Sequence, residues 1–366
     1  IVGLEASRLF ARSEINMGVD AFRDSLYAML KRNTFLNIKF ENMLDTLGEM
    51  SRTDLYSYLK EWEQLTPLPF YSIGEPELTK VVNKGGEEFF VLKVLVSNNS
   101  DYDGIIQMNV LQNGWWYQPM EDPRARKKVE IAAHTSKEFV SVWEEQIRDV
   151  EINTMVSGNL PYMIRQSIGN VKQERNKIVK DTIYTLPESS LEMPGEVIVD
   201  NEDSTLFVLS TPAVVGLLPK WLDKVEDTSF KYSGISWWRA PLQWTATTNA
   251  KYYGKYIRSA YVIKSGDGSQ TATWKIPVPE AGQYELYYHV FKDDELRWND
   301  RLQGEYHFRV AYDSEMEDAY INLRKANEGW EQLGTYYFSA DTVRVVLTDE
   351  CKLRSVTADA VKIVKR

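Results

Sequence analysis

Cysteine is almost absent: Cys351 is the only one in 366 residues. No intramolecular disulfide can form, so stability must come from packing. The lone thiol reads as a small buried hydrophobe in a strand. Histidine is nearly as scarce, with His134, His289 and His307 alone. No two of them stand four apart with glutamate between, so the His-Glu-x-x-His zinc motif is missing from this chain. His289 and His307 read as strand residues on a polar face, held by partners. Positive charge is in deficit, 43 Lys and Arg against 53 Asp and Glu, a net charge of −10. That balance argues against a nucleic-acid partner, which needs a basic footprint. No apolar run reaches about 18 residues, so nothing in the chain reads as a membrane-spanning helix. No signal-peptide pattern is visible. The chain opens at Ile1 without a methionine, which suggests a piece of a longer protein with its targeting information upstream.

What the chain has in abundance is aromatic side chains, 11 Trp and 21 Tyr among 366 residues. Most of them should be buried, since aromatics carry much of a core's area. The length suggests two or three domains. From Tyr252 onward the pattern is β. Ala272, Trp274 and Ile276 alternate with polar residues, as do Tyr284, Leu286, Tyr288 and Val290. Tyr306, Phe308, Val310 and Tyr312 repeat the pattern, and so do Val343, Val345 and Leu347. Period-2 alternation predicts strands with one face buried. Gly-rich turns between short strands predict a jelly-roll-like β-sandwich over 196–366.

Residues 1–66 read as a helical segment. Val19, Phe22, Leu26, Met29 and Leu30 form one apolar stripe, and Phe40, Met43, Leu44 and Leu47 a second. Leu55, Tyr58, Leu59 and Trp62 form a third. Ser51-Arg-Thr-Asp54 supplies a capping-box-like start for the last helix. Residues 67–165 read as a small Ig- or fibronectin-like β-sandwich, with Phe89–Val96 as a nearly continuous apolar strand. Met120–Glu130 reads as a solvated charged loop. Residues 166–195, with their charge run and prolines, read as a linker. Ser210–Tyr232 reads as an insertion with a short helix around Lys220–Val225.

Two stretches attract a functional reading. The segment Ser236–Trp244 places three tryptophans within eight residues, broken by Pro241, and they cannot all face one core from a regular element. Trp237, Trp238 and Trp244 are therefore candidate sugar-stacking rings, with Arg239 and Arg258 as donors to hydroxyls and Trp298 as a further exposed ring. The competing reading is that these tryptophans pin the insertion to the β body. Asp200-Asn201-Glu202-Asp203, and Asp293-Asp294-Glu295 with Asp300, are acid-rich turns of the kind that hold a structural Ca²⁺. No EF-hand spacing accompanies them, and a capped turn is the simpler reading. Asp359 is assigned a turn or hydrogen-bonding role. Paired carboxylates cannot be read from spacing alone, and no catalytic residue or required cofactor is assigned.

Several strings carry a family resemblance. YYGKYIRSAYVIKSG, TATW, AGQYELYYHV, GWEQLGTYYF and ADAV, in that order, resemble the golvesin C-terminal-like domain, a xanthan-lyase-type carbohydrate-binding-like family. The resemblance extends back to EVIVDNEDSTLF at Glu196–Phe207. It implies a polysaccharide or cell-surface glycan partner and an extracytoplasmic (periplasmic or cell-surface) setting in a bacterium. The run from Gly18 to Ile73 is similar to the end of the catalytic region of M1-type aminopeptidases, although the zinc motif of that family is absent here. That second resemblance implies an upstream peptidase domain as partner and a β domain after the helices. The expectation is a multidomain, mainly β, non-catalytic accessory region of a larger protein that binds carbohydrate or cell surface. Its alternatives are the accessory end of an M1-like peptidase and a protein–protein scaffold working through sheet edges or an aromatic patch.

Overall fold

The computed structural model describes residues 2–34, 36–37, 39–52, 54–57, 67–112, 122–169, 171–175, 179–188, 191, 195–210, 231–235, 239–292, 304–313 and 315–366. The chain divides into two units, Ile1–Leu191 and Glu192–Arg366. No helix among the described residues is long and apolar enough to cross a membrane.

The first unit opens with α1 (Val2–Met17), α2 (Val19–Arg32) and α3 (Phe40–Ser51). Gly18 separates the first two with φ 86°, a left-handed value that costs a residue without Cβ little. Leu9, Phe22, Leu44, Leu47 and Leu55 close a small core. Of the second helix's stripe, Phe22 and Met29 are buried while Val19 and Leu30 face solvent, because the apolar arc is wider than the neighbours that cover it. The next helical turn is capped by Asp54 rather than Ser51: its Oδ1 accepts the N–H groups of Tyr56 and Ser57 at 3.1 and 3.2 Å. Tyr58, Leu59 and Trp62 lie outside the described residues. Helix α1 also carries Arg12, paired with Glu130, and Glu14, paired with Lys128.

The strands of this unit are β1 (Tyr71–Ile73), β2 (Glu77–Val82), β3 (Glu88–Asn98), β4 (Gly104–Gln112), β5 (Arg126–Ile131), β6 (Thr135–Trp143), β7 (Ile147–Asn153), β8 (Met163–Ser167), β9 (Val171–Arg175) and β10 (Thr182–Pro187). They form a six-stranded sheet, β10-β6-β3-β2-β9 with β1 also on β3, and a four-stranded sheet, β5-β4-β7-β8. The apolar run of β3 is explained by its central place between β2 and β6. The expected charged loop at Met120–Glu130 is corrected over its second half, where Arg126–Ile131 pairs with β4. The stretch 166–195, expected as a linker, carries β9 and β10, both paired into the six-stranded sheet.

The second unit contains β11 (Glu196–Val199), β12 (Phe207–Leu209), β13 (Thr245–Thr248), β14 (Ser259–Lys264), β15 (Thr271–Pro277), β16 (Gly282–Val290), β17 (Glu305–Tyr312), β18 (Glu315–Asn322), β19 (Gly329–Phe338), β20 (Thr342–Thr348), β21 (Ser355–Ala358) and β22 (Val361–Lys365). Three sheets result: β11-β22-β16-β19, β12-β15-β20-β17-β18 and β13-β14-β21. The first and last of these strands, β11 and β22, run antiparallel side by side. Ala272, Trp274, Ile276, Tyr284, Leu286, Tyr288, Val290, Tyr306, Phe308, Val310, Val343, Val345 and Leu347 are all buried in one core.

The protein is mainly β, but the expected Ig-like sandwich and jelly roll are corrected. Among the described residues its strands fall into five sheets, one of them with the parallel pair β2–β9, instead of two two-sheet layers. Alternation reports which face of a strand is buried; it carries no information on which strands are neighbours, so it cannot count sheets. Cys351 also departs from expectation. It is half-buried and follows β20 in a loop instead of lying in a strand.

One residue ties the second unit together. Asp359 is fully buried. Its carboxylate accepts the N–H of Tyr253 at 3.1 and 3.2 Å and meets His289 Nδ1 at 2.8 Å. Its carbonyl accepts the indole N–H of Trp274 at 3.2 Å. Burial pushes the Asp359 carboxyl above its ordinary pKa, and the neighbouring His289 opposes that rise.

Trp274→Ala removes the largest ring of this core together with its bond to Asp359. It should cost about 3–5 kcal/mol in chemical denaturation of the whole chain; a loss below about 1 kcal/mol would show that the ring is not a core determinant. The raised Asp359 pKa has a definite sign. The stability it contributes is complete below the unfolded value of about 3.9 and is lost as pH rises through the folded value. Asp359→Asn, which cannot ionise, should therefore gain on the native protein as pH climbs from about 4 to about 8. Thermal melts of the two proteins that stay a constant distance apart across that range would overturn the assignment.

Candidate functional site

The short sheet β13-β14-β21 has a different kind of structure at each end. At one end three segments converge. Strand β14 finishes at Lys264, opposite Ser355 of β21. The Lys264 N–H donates to Pro241 O at 2.7 Å, and the Ser265 N–H donates to Arg354 O at 3.1 Å. These backbone bonds bring the 239–242 segment, the end of β14 and the start of β21 together. They enclose a shallow cleft of about 370 Å³ lined by Arg239, Ala240, Leu242, Lys264 and Arg354. Leu242 is 72% exposed and presents an apolar edge beside three cations.

At the other end lies the turn Asn249–Arg258, closed by the Asn249 N–H donating to Arg258 O at 3.2 Å. Gly254 is required here, since a Cβ would stand 1.9 Å from the Ile257 carbonyl oxygen. The Tyr253 N–H donates to the buried Asp359 carboxylate, and its ring meets two further rings. The register of β16 on β19 sets His289 opposite Trp330. Ring centroids are 5.0 Å apart for Tyr253 and Trp330, 5.1 Å for His289 and Trp330, and 5.8 Å for Tyr253 and His289. Lys362 Nζ sits 4.7 Å over the Trp330 ring and pairs with Glu196 at 3.1 Å. The alternation of β16 places His289 on the polar face, but its ring partners depend on strand pairing and turn geometry that the sequence alone does not display. Among the described residues no serine or cysteine side chain is bonded to His289.

The residues expected to act together are dispersed. Arg239 is exposed and lines the cleft. Trp244 is half-buried against the core, with its indole N–H buried and unpartnered among the described residues. Arg258 is turned to the opposite end, where Nη1 donates to Tyr252 O at 3.3 Å and its charge bears on Asp359. Trp237, Trp238 and Trp298 lie outside the described residues, as do Lys220–Val225, Asp293, Asp294, Glu295 and Asp300. Lys264 and Arg354 were not anticipated: each is an ordinary surface cation in sequence, and only pairing brings them to Arg239.

The acid-rich turn 200–203 is knitted into protein contacts. Asp200 Oδ1 accepts the Asn201 N–H at 2.7 Å, and burial followed by the charge of Asp359 pushes Asp200 well above its ordinary range. Glu202 accepts from Tyr232 OH at 2.9 Å and also holds Lys231 and Ser259. Burial raises the Glu202 pKa, but these three partners outweigh it and hold the carboxyl below its usual value. Asp203 Oδ1 accepts Thr205 Oγ1 at 2.8 Å. Among the described residues no group of three or more His, Cys, Asp or Glu side chains is placed to hold a metal ion.

No curated protein matches the chain. Among solved structures it is similar to a Paenibacillus xanthan lyase, at 18% identity and TM-score 0.33, over 82% of this chain and 27% of that one. It is also similar to a CBM35 from Cellvibrio japonicus Abf62, at 12% identity and TM-score 0.23, over 34% of this chain and 83% of that one. A third is β-glucuronidase 2 of Bacteroides uniformis, at 11% identity and TM-score 0.24, over 87% and 32% respectively. The chain thus spans about a quarter of the xanthan lyase. Residues 237–365 match the Golvesin C-terminal domain, and that stretch contains the cleft, the turn around Tyr253 and Asp359.

Proposed function

We propose that the second unit is a non-catalytic carbohydrate-binding module, the accessory part of a larger extracytoplasmic protein. The cleft formed by Arg239, Ala240, Leu242, Lys264 and Arg354 is its binding site. The observation that carries this reading is the position of the cleft inside the stretch that matches the Golvesin C-terminal domain. It offers an apolar edge for the C–H face of a pyranose and cationic side chains for its oxygens. Such contacts are individually modest, about 0.5–1.5 kcal/mol for an aromatic or comparable apolar face. Binding through one cleft is accordingly expected in the micromolar to millimolar range. The peptidase-accessory alternative rests on the resemblance of Gly18–Ile73 alone, and a His-Glu-x-x-His motif in the coding sequence upstream of Ile1 would decide for it.

The test is isothermal titration of the whole chain with a panel of neutral and acidic polysaccharides, with Ala240→Trp as the cleft-filling variant. Saturable heat from at least one polysaccharide, abolished in Ala240→Trp while its melting temperature holds, is the expected result. Absence of binding to every member at millimolar sugar, or binding that survives Ala240→Trp unchanged, would rule out this cleft.

A further inference from the structure

We infer that the carbohydrate this cleft takes is anionic, a glycan carrying carboxylates in the manner of a polyuronide. The inference rests on the carbohydrate reading above and specifies its ligand. Three of the five lining residues, Arg239, Lys264 and Arg354, are cations, in a chain whose formal charge is −10. Their concentration in one concavity therefore runs against the average composition of the surface. The Arg239 and Lys264 side chains have no ion-pair partner among the described residues, so no described carboxylate cancels their charge.

The hydrogen-bonding inventory points the same way. Guanidinium and ammonium groups donate and never accept, and Ala240 and Leu242 do neither. The cleft's side chains thus offer donors alone. One backbone acceptor beside the cleft, Pro241 O, already accepts the Lys264 N–H. A neutral sugar presents hydroxyls that both donate and accept, and a donor-only wall leaves their protons unmatched. A carboxylate is acceptor-only when ionised, and guanidinium meets it with two parallel bonds. Arg239 enters from the segment before β13, and Arg354 from the residue before β21, on the far side of β14 in this three-stranded sheet. A carboxylate held by Arg239 and Lys264 is gripped from two backbone segments, the stretch before β13 and the end of β14. Leu242 remains for the apolar ring face. The open form of the cleft makes the attraction sensitive to salt, since exposed charges are screened over about 10 Å at 0.1 M ionic strength.

Oligogalacturonate, oligomannuronate and oligoglucuronate would be titrated into the whole chain beside their carboxyl-reduced counterparts, at low and at high salt. Duplex DNA would serve as a non-sugar polyanion. At least one uronide should bind, with affinity at least about tenfold above its reduced counterpart and falling as salt rises. Arg239→Gln and Lys264→Gln should each weaken that uronide by about tenfold and weaken its carboxyl-reduced counterpart by less. Both positions lie at the surface, and unchanged melting temperatures would certify the fold. Equal binding of a uronide and its reduced counterpart would overturn the anionic inference while leaving the carbohydrate reading intact. Failure of all three uronides, with neutral polysaccharides bound, has the same meaning. Failure of both classes sinks the two together. DNA binding as tight as any uronide would show a cationic patch without sugar selectivity and would likewise overturn the inference.

Discussion

The second unit depends on a buried carboxylate. Asp359 lies in the two-residue gap between β21 of the three-stranded sheet and β22 of the four-stranded one. Through its carbonyl it holds Trp274 of the five-stranded sheet, and through its side chain it holds His289 of β16 and the turn that presents Tyr253. One residue therefore touches all three sheets. A buried carboxylate is costly unless its lone pairs are met, and here backbone N–H and imidazole meet them. The arrangement constrains its neighbours more than apolar packing does, because each bond has a direction. It fixes where β22 begins relative to β21, and with it the register of the sheet that carries the cleft.

The faces of the strands were legible in the sequence, and their partners were not. Tyr284, Leu286, Tyr288 and Val290 announced a buried face by alternation, and each is buried. Nothing in the same pattern says that β16 lies between β22 and β19, or that β15 lies between β12 and β20. An expectation of two sandwiches therefore arose from a correct set of strand faces, and it failed on pairing. The segment Arg126–Ile131 shows a related limit. RKKVEI carries few apolar residues and reads as a solvated loop, yet hydrogen bonds to β4 make it a strand. Backbone pairing can outweigh weak side-chain preference when a neighbouring strand supplies the partner.

The site was legible in part for the same reason. Arg239 drew attention because it adjoins a tryptophan-rich stretch, and it does line the cleft. Arg258 shares its residue type but belongs to the opposite end of the short sheet, beside Asp359. Lys264 and Arg354 had no local signal. They are neighbours of the cleft because Lys264 is in register with Ser355, a relation between positions far apart in the chain. Asp359 was assigned a hydrogen-bonding role, and that role proved more central than a turn because of where the strands around it go.

The pairing of β11 with β22 brings the entry and exit of the second unit onto neighbouring strands, about 4.8 Å apart. A fold whose two ends leave side by side can be spliced into a surface loop of a host protein without stretching that loop. Closing the junction then carries only the small entropic cost of a short linker. Such geometry suits insertion, because the flanking chain need only reach one end of the β11–β22 pair.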